Sequence, residues 1–399
     1  MKNHQIMPVQ AKRKVFFQSL TLLVVTLLVA STGMILADES DGSIRAVPRL
    51  MLERGICMDR QLRSIPPEPR KTISGDDIRL IRSMGFEFVK LIFNPEVLKL
   101  DGGLASSNMW YFDQVVQMVV DEKLPVVVCI HPEPDFKRTV LGKANEFSRF
   151  VGFMDALSRH MAARWGPDQL AFQLMTEPFG SSLKSEDWNH WDRLQQQLWK
   201  VVRSGMPQHT LILSGDMVGT IEGLDNIKPV NDTNVLYCFS FYDPQLFTQQ
   251  GVGHSGVMPH LKNLPYPSGP ETLAALPGIL GTVPQQWQSE IRIRVEDYAA
   301  ERWDKKKVAA RIEKLAEWRR RHGGGVKLWC AECGCCQAAP PLDRYRYLGD
   351  VRKLFEEHEI GWAYWSYNET FSVMTSDRTT KGPAKAQTPD RTLLKILLP

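Results

Sequence analysis

Eight short apolar segments recur along the chain, and segments with helical patterning separate them. Several of the eight are continuously apolar instead of alternating, as expected for strands buried on both faces of a parallel sheet. Eight strands that alternate with helices within about 340 residues predict a (β/α)8 TIM barrel. A doubly wound open sheet is the alternative, but no glycine-rich phosphate loop follows the first segment. The segments span residues 54–59, 86–93, 124–131, 171–177, 210–215, 235–242, 326–332 and 360–367.

The intervening segments carry apolar residues at three- and four-residue spacing, which is typical of helices that bury one face. The clearest one begins after Ser74, has Asp77 three positions later and stops at Gly85. This pattern predicts a capping box at the start of the helix and a glycine stop at its end. Further helices are predicted over 110–123, 146–165, 187–204 and 343–358.

The stretch 243–325 is an insertion between the sixth and seventh predicted strands. Its first part is rich in proline and glycine ("PYPSGPETLAALPG") and predicts a loop. Its second part, 286–322, is heavily charged and predicts helix. Because the insertion follows a strand, we expect it on the face of the barrel where substrate clefts are built.

The first 37 residues predict an export signal. A basic cluster at residues 12–14 precedes an apolar run to about Ala30, and small residues follow. The apolar stretch is also long enough to span a bilayer, so an uncleaved membrane anchor is the alternative. We therefore expect residues 38–399, as one barrel domain, to be secreted or periplasmic, or anchored to the membrane and facing outward.

The net charge of +4 arises from this N-terminal segment. Residues 1–37 contain four of the 49 Lys and Arg residues and no acid, which leaves 45 basic against 45 acidic residues in the remainder. A neutral remainder gives no electrostatic reason to expect a nucleic-acid partner.

The seven cysteines fall into two groups. Cys57, Cys129 and Cys238 lie within apolar predicted strands and are interpreted as small buried residues. A C-x-x-C pair in the second group can indicate zinc, but no second Cys or His pair has ligand spacing, so we expect no metal and no other cofactor. Because exported proteins form disulfides, we expect a local disulfide in this second group. Its members, which surround Glu332, are Cys330, Cys333, Cys335 and Cys336.

Two glutamates end predicted strands in matching settings: Glu177 closes "AFQLMTE" and Glu332 closes "VKLWCAE". The carboxyl ends of all strands in a barrel meet at one mouth, so both side chains would point into the same cleft. Two carboxyl groups there suit glycoside hydrolysis, in which one protonates the leaving oxygen and the other attacks or activates water. Further polar or aromatic residues at the predicted strand ends are Asp59, Asn94, Glu96, His131, Asp216, Tyr242 and Trp365.

Over most of 50–370, the chain resembles the cellulase-type retaining glycoside hydrolases of family 5. "GFEFVKLIF" and "CIHPEPD" resemble the second and third strands of that family, the latter with His131. "FSFYDPQLFTQQG" resembles the sixth-strand segment and implies that Tyr242 lies near the nucleophile. "GWAYWSYNE" resembles the eighth and implies that Trp365 is a platform for a sugar ring.

The resemblance also implies a role for each glutamate. "LMTEPFG" resembles the acid/base motif with Glu177, and "LWCAECG" resembles the nucleophile motif with Glu332. Such a pair would cleave a β-linked polysaccharide or oligosaccharide, most simply a β-glucan, with carboxyl groups about 5–5.5 Å apart. We expect burial and the nearby charge of Glu332 to keep Glu177 protonated, and Lys90 and Tyr242 to favour the ionised form of Glu332.

Three positions depart from the pattern of the family. Lys90 replaces an arginine, Thr176 replaces the asparagine before the acid/base, and Ser240 replaces a histidine. A lysine keeps the positive charge but cannot form the fork-shaped double hydrogen bond of arginine. Threonine is too short to copy the contact that asparagine makes with the sugar 2-hydroxyl. These changes leave two alternatives open: a catalytically weak carbohydrate-binding barrel, and a hydrolase or transglycosylase of mannan or an exported exopolysaccharide.

Overall fold

The structure is a computed structural model that describes residues 49–62, 73–100, 103–104, 106–179, 190–253, 256–368, 370–375 and 388–399. The predicted export segment, residues 1–37, lies outside this part of the chain. Among the helices that the structure does describe, none is both long and apolar enough to cross a membrane.

Eight parallel strands close into a barrel, in which each strand pairs with the next along the chain and the last pairs with the first. All eight predicted strands are confirmed, and so is the TIM-barrel fold. The strands are β1 (Arg54–Leu62), β2 (Phe88–Phe93), β3 (Val126–Ile130), β4 (Leu170–Gln173), β5 (Leu211–Ser214), β6 (Val235–Phe241), β7 (Lys327–Cys333) and β8 (Gly361–Tyr364).

Helices connect the strands. Short two-stranded hairpins follow β2 (Lys99–Leu100 with Gly103–Leu104) and β8 (Met374–Thr375 with Thr388–Pro389). The α-helices are α1 (Gly75–Met84), α2 (Pro95–Leu98), α3 (Ser106–Asp121), α4 (Pro134–Gly142), α5 (Ala144–Ala162), α6 (His190–Gly205), α7 (Gln245–Thr248), α8 (Pro270–Leu280), α9 (Gln285–Glu301), α10 (Lys305–Arg321), α11 (Pro341–Glu357) and α12 (Arg391–Leu397).

The predicted ends of α1 are confirmed in atomic detail. The Ser74 hydroxyl accepts a hydrogen bond from the Asp77 N–H, and the Asp77 carboxylate accepts one from the Ser74 N–H at 2.9 Å. Gly85 ends the helix with a φ of 99°, a left-handed conformation that glycine adopts without a Cβ clash.

Two apolar clusters hold the barrel together. The larger lies between the strands and the helices, and the smaller fills the barrel interior around Cys57, Phe88 and Trp329. The interior is packed so closely that a Cβ added to Gly55 would lie 2.1 Å from the ring of Phe88. A glycine is therefore required where β1 passes this ring.

The insertion between β6 and β7 is more helical than expected. The prediction of a loop over its proline- and glycine-rich part is wrong, because α8 starts within that part. Proline is favoured in the first turn of a helix, and the Gly269 N–H donates to the Thr272 hydroxyl at 3.0 Å, so Pro270 begins a helix instead of preventing one. The helix predicted over 286–322 is confirmed by α9 and α10.

Arg311 of α10 ties the insertion to loops at the mouth of the barrel. Its guanidinium donates to Asp243 Oδ2 at 2.7 Å and to Glu222 Oε2 at 3.0 Å. The hydrogen bonds from Arg311 lower the pKa of Glu222 to about 2, so this carboxylate remains ionised well into the acid range. The helical part of the insertion is thus fixed to the loop after β5 and to the start of the insertion itself.

The close packing around Gly55 predicts how an added methyl group will change the stability of the barrel. Gly55→Ala should lower the free energy of unfolding by about 1–3 kcal/mol, because a rigid ring must move to admit the new methyl group. Gly152→Ala is the matched control, since its Cβ would meet nothing within 4 Å on the exposed side of α5. The control should be neutral or stabilising by up to about 1 kcal/mol. Urea denaturation measures both, and equal effects of the two variants would contradict the packing argument.

Candidate active site

A β-bulge in β7 decides where Glu332 points. Ala331 packs in the interior cluster, whereas Cys330 and Cys333 pack in the outer cluster. Strict alternation along the strand would therefore turn Glu332 outward. The pairing of β7 with both neighbours shifts by one residue between Cys330 and Cys333. The extra residue allows Ala331 and Glu332 to face the interior in succession.

Lys90, which lies on β2, reaches Glu332 of β7 through the barrel interior. Its ammonium donates to Glu332 Oε1 at 2.9 Å and to the Ala331 carbonyl at 3.0 Å. The side chain of Lys90 is 0% exposed and that of Glu332 is 4% exposed. Burial is the largest single effect and lowers the pKa of Lys90, but the Glu332 carboxylate together with the thiols of Cys129 and Cys57 outweighs it and raises the pKa above its usual value. The two side chains therefore form a buried ion pair.

Thr176 and Ser240 also face this carboxylate. The Thr176 hydroxyl donates a long hydrogen bond of 3.4 Å to Glu332 Oε1, the same oxygen that Lys90 binds. Ser240 is the pairing partner of Glu332 in the β6–β7 ladder. The three positions that depart from the family pattern thus lie together around one glutamate.

Glu177 occupies a different environment beyond the end of β4. Its φ of 48° is a left-handed backbone conformation, which is uncommon for residues other than glycine. Its Oε2 lies 3.7 Å from His131 Nε2, and its side chain is 29% exposed. Glu332 is the more deeply buried of the two carboxyl groups, contrary to the expectation that burial keeps Glu177 protonated. Glu332 thus differs from Glu177 both in its deeper burial and in its ion pair with Lys90.

Lys137 lies next to Glu177 and was not among the predicted site residues. It belongs to α4, its side chain is buried, and its ammonium donates to the Glu177 carbonyl at 3.1 Å. The pKa of Lys137 is lowered by burial, while the carboxylates of Glu177 and Glu332 oppose that effect. In the sequence, this lysine is one of several charged residues between the third predicted strand and the helix predicted over 146–165, so no pattern singles it out.

A turn after β5 also holds the segment that contains Glu177 and Pro178. All three residues of Met217–Gly219 have positive φ (52°, 60° and 73°), and the buried carboxylate of Asp216 accepts the first N–H at 2.7 Å. The Val218 N–H donates to the Pro178 carbonyl at 2.7 Å. Left-handed backbone in a β-branched residue such as valine is strained. The strained backbone therefore lies directly beside Glu177.

Tyr242 and Trp365 lie at the ends of β6 and β8. Tyr242 contacts the ring of Phe371 edge-on, with 6.0 Å between centroids. Burial raises the pKa of Tyr242, and the charge of Glu332 raises it further, so the phenol stays neutral and can donate a hydrogen bond. Trp365 is partly buried against the interior cluster, and its backbone N–H donates to the Cys333 carbonyl at 2.8 Å.

The remaining strand-end candidates have local roles or stay untested. The Asn94 side chain accepts the Glu96 N–H at 3.1 Å and so supports the start of α2. Glu96 itself is exposed. The side chain of Asp59 lies outside the part that the structure describes.

The prediction of a disulfide around Glu332 is wrong. All seven cysteines are free and buried, as predicted for Cys57, Cys129 and Cys238. The second group forms no disulfide: the Cys330 thiol donates to the Glu332 carbonyl at 3.3 Å and also makes a hydrogen-bond contact with the Cys333 thiol. Among the described side chains, no group of three or more His, Cys, Asp or Glu could hold a metal ion.

A closed parallel barrel that presents two glutamates, one of them paired with a buried lysine, has the design of a barrel glycoside hydrolase. The chain belongs to the cellulase family, glycosyl hydrolase family 5, whose model matches residues 66–370. The expectation drawn from the strand-end motifs is thereby confirmed.

Individual relatives are distant. Endoglucanase C of Acetivibrio thermocellus is 25% identical over 318 residues, which cover 77% of this chain and 87% of the relative. The cellulose synthase subunit Z (CcsZ) of Clostridioides difficile has a similar structure, with a TM-score of 0.67, 19% identity and coverage of 88% of this chain and 100% of that one. Cel5A of Thermotoga maritima, solved with cellobiose, also has a TM-score of 0.67, with 19% identity over 87% of this chain and 97% of its own.

The buried pair makes a second stability prediction. Lys90→Met should lower the free energy of unfolding at pH 7 by about 3–5 kcal/mol, because it leaves the Glu332 carboxylate buried without its counter-charge. The double variant Lys90→Met/Glu332→Gln should lose much less, since no charge is then left unpaired. Urea denaturation of both variants is the measurement. A double variant as unstable as Lys90→Met would show that the lysine acts through packing alone.

Proposed function

We propose that this protein is an endo-acting β-glucanase that cleaves by double displacement, with Glu332 as nucleophile and Glu177 as general acid/base. The observation that supports these roles best is the contrast between the two glutamates. Glu332 is enclosed and held beside a lysine at 2.9 Å, whereas Glu177 is partly exposed at the same mouth. An opposite charge at this distance favours the ionised carboxylate that a nucleophile requires.

The contacts of Glu332 also distinguish its two oxygens. The hydrogen bonds from Lys90 and Thr176 both go to Oε1. We therefore assign attack on the anomeric carbon to Oε2, while the two donors hold the carboxylate in place. As the glycosyl–enzyme bond forms, the negative charge moves from the carboxylate to the leaving oxygen, which must receive a proton.

Glu177 supplies that proton in the first step and removes one from water in the second. Its exposure fits this double duty, because both the leaving group and the incoming water must reach it. His131, 3.7 Å away, can orient the carboxyl group. Trp365 offers a partly exposed ring at the end of β8 on which a sugar can stack.

Thr176 changes what the position before the acid/base does. Its hydroxyl is directed to Glu332, so it supports the nucleophile and is not placed to bind the sugar 2-hydroxyl. A contact that strengthens in the transition state is thereby lost, which favours slow turnover. The loss of this contact favours a second candidate function, that of a carbohydrate-binding barrel with weak catalysis.

We further propose that residues 1–37 direct the barrel out of the cytoplasm, either as a cleaved signal or as an anchor. The basic cluster, apolar run and small-residue exit support export. A β-linked polysaccharide outside the cell is the matching substrate, and no nucleic-acid partner is proposed.

Variants of the two glutamates test the assigned roles. On an aryl β-cellobioside whose leaving group needs no proton, Glu332→Ala should abolish hydrolysis, whereas Glu177→Ala should slow only the second step, by about 10²–10⁴-fold. Azide should restore turnover of Glu177→Ala and give a glycosyl azide of retained configuration. The readouts are the release of the phenol and the NMR configuration of the azide product. Near-native activity of Glu332→Ala would overturn the assignment.

Product analysis tests the substrate class. On a panel of β-glucans, mannans and exopolysaccharides, the proposal predicts a rapid fall in the viscosity of soluble β-glucan with slower release of reducing ends, the pattern of internal cleavage. Preferred cleavage of mannan or an exopolysaccharide would redirect the substrate. Retained oligosaccharide binding without any product would instead support the weak-binding alternative.

A further inference from the structure

Lys137 is a buried charge that the proposed mechanism does not use. It lies in α4, which follows β3, and its side chain crosses to the loop after β4 with only 3% exposure. Its ammonium lies 3.1 Å from the Glu177 carbonyl and 5.9 Å from the ring centroid of Phe179. Lysine is rarely buried to this extent unless its charge is compensated.

The contact is with the backbone of Glu177, not with its carboxyl group. The carbonyl that Lys137 binds belongs to a residue with left-handed backbone, at a φ of 48°. The Val218 N–H binds the next carbonyl, that of Pro178, at 2.7 Å. Two donors, one from helix α4 and one from the turn after β5, thus fix consecutive peptide groups. A residue in a sparsely populated conformation persists only where its surroundings hold it in this way.

Each glutamate therefore has its own buried lysine, but the two lysines act differently. Lys90 donates to the carboxylate of Glu332, whereas Lys137 donates to the main chain of Glu177. From that position, the positive charge also opposes the negative field of Glu332 at the Glu177 carboxyl group. Without it, Glu177 would hold its proton more tightly and would be a weaker acid toward the leaving oxygen.

We propose that Lys137 is a positioning residue for the reaction assigned above: its ammonium fixes the left-handed backbone of Glu177 and eases the transfer of the Glu177 proton to the leaving oxygen in the first step. This inference rests on the proposed role of Glu177. The titratable groups that face Lys137 are the carboxyl groups of Glu177, Glu332 and Glu133 and the thiol of Cys129.

The test compares Lys137→Met with Arg138→Met. Arg138 is the matched control, because it belongs to the same helix but is 58% exposed and pairs with Asp135. Lys137→Met should move the basic limb of the kcat/KM pH profile to higher pH and lower kcat by about tenfold or more, with little change in KM, since the acid/base is less well placed. Arg138→Met should leave both the limb and kcat as in the wild type.

Lys137→Gln separates the two effects and provides a second variant if Lys137→Met does not fold. Glutamine can still donate to the Glu177 carbonyl but carries no charge. The basic limb of the kcat/KM pH profile should therefore shift as in Lys137→Met, whereas the loss of kcat should be smaller. A folded variant of Lys137 with a wild-type limb would overturn the inference, because a purely structural lysine changes activity without changing the titration.

Carboxyl ¹³C NMR of the resting protein gives a readout that does not depend on turnover. The Glu177 resonance, assigned with Glu177→Gln, should titrate at higher pH in Lys137→Met than in the wild type. An unchanged titration would overturn the role of Lys137 even in an active enzyme. A shifted titration in a protein that hydrolyses no glycoside would instead overturn the proposed function and leave the coupling of Lys137 to Glu177 intact.

Discussion

The ion pair between Lys90 and Glu332 is the interaction around which the barrel interior is organised. Two full charges are held where almost everything else is apolar, and such a pair is seldom favourable for stability compared with well-packed apolar side chains. The fold accommodates it with a third partner, the Ala331 carbonyl, which the bulge in β7 directs inward. The pair is therefore best understood as a device for holding an ionised carboxylate at the base of the cleft.

The rest of the site has an enclosed side around Glu332 and an open side around Glu177. On the enclosed side, donors from β2 and from the end of β4 converge on one oxygen of Glu332. On the open side, Glu177 is fixed through its backbone while its carboxyl group stays accessible. The insertion between β6 and β7 is joined to the loops at this mouth through Arg311. This division supports the proposed roles of Glu332 as nucleophile and Glu177 as general acid/base.

Much of the fold could be predicted from the sequence because a parallel barrel buries both faces of its strands and so leaves continuous apolar runs. Glu177 and Glu332 could be found because they end such runs. The direction of the Glu332 side chain could not be predicted. Strict alternation from Ala331 would turn this side chain toward the helices, and only the bulge turns it toward the barrel interior. The contact of Thr176 with Glu332 and that of Lys137 with Glu177 depend equally on tertiary structure. The prediction of a disulfide is wrong for the same reason: the spacing of the cysteines does not reveal that they are buried in the core as free thiols.

Trapping of the glycosyl–enzyme is the most direct test of the central claim, that the bulged strand aims Glu332 at the anomeric carbon. A 2-deoxy-2-fluoro-cellobioside with a good leaving group forms the covalent intermediate but slows its hydrolysis, and peptide mass mapping then locates the modified side chain. If Glu332 is the nucleophile, one equivalent of sugar will be found on the peptide that contains Glu332, and Glu177 will be unmodified. A sugar attached to any other side chain would contradict it, as would turnover of the unfluorinated substrate with inverted configuration.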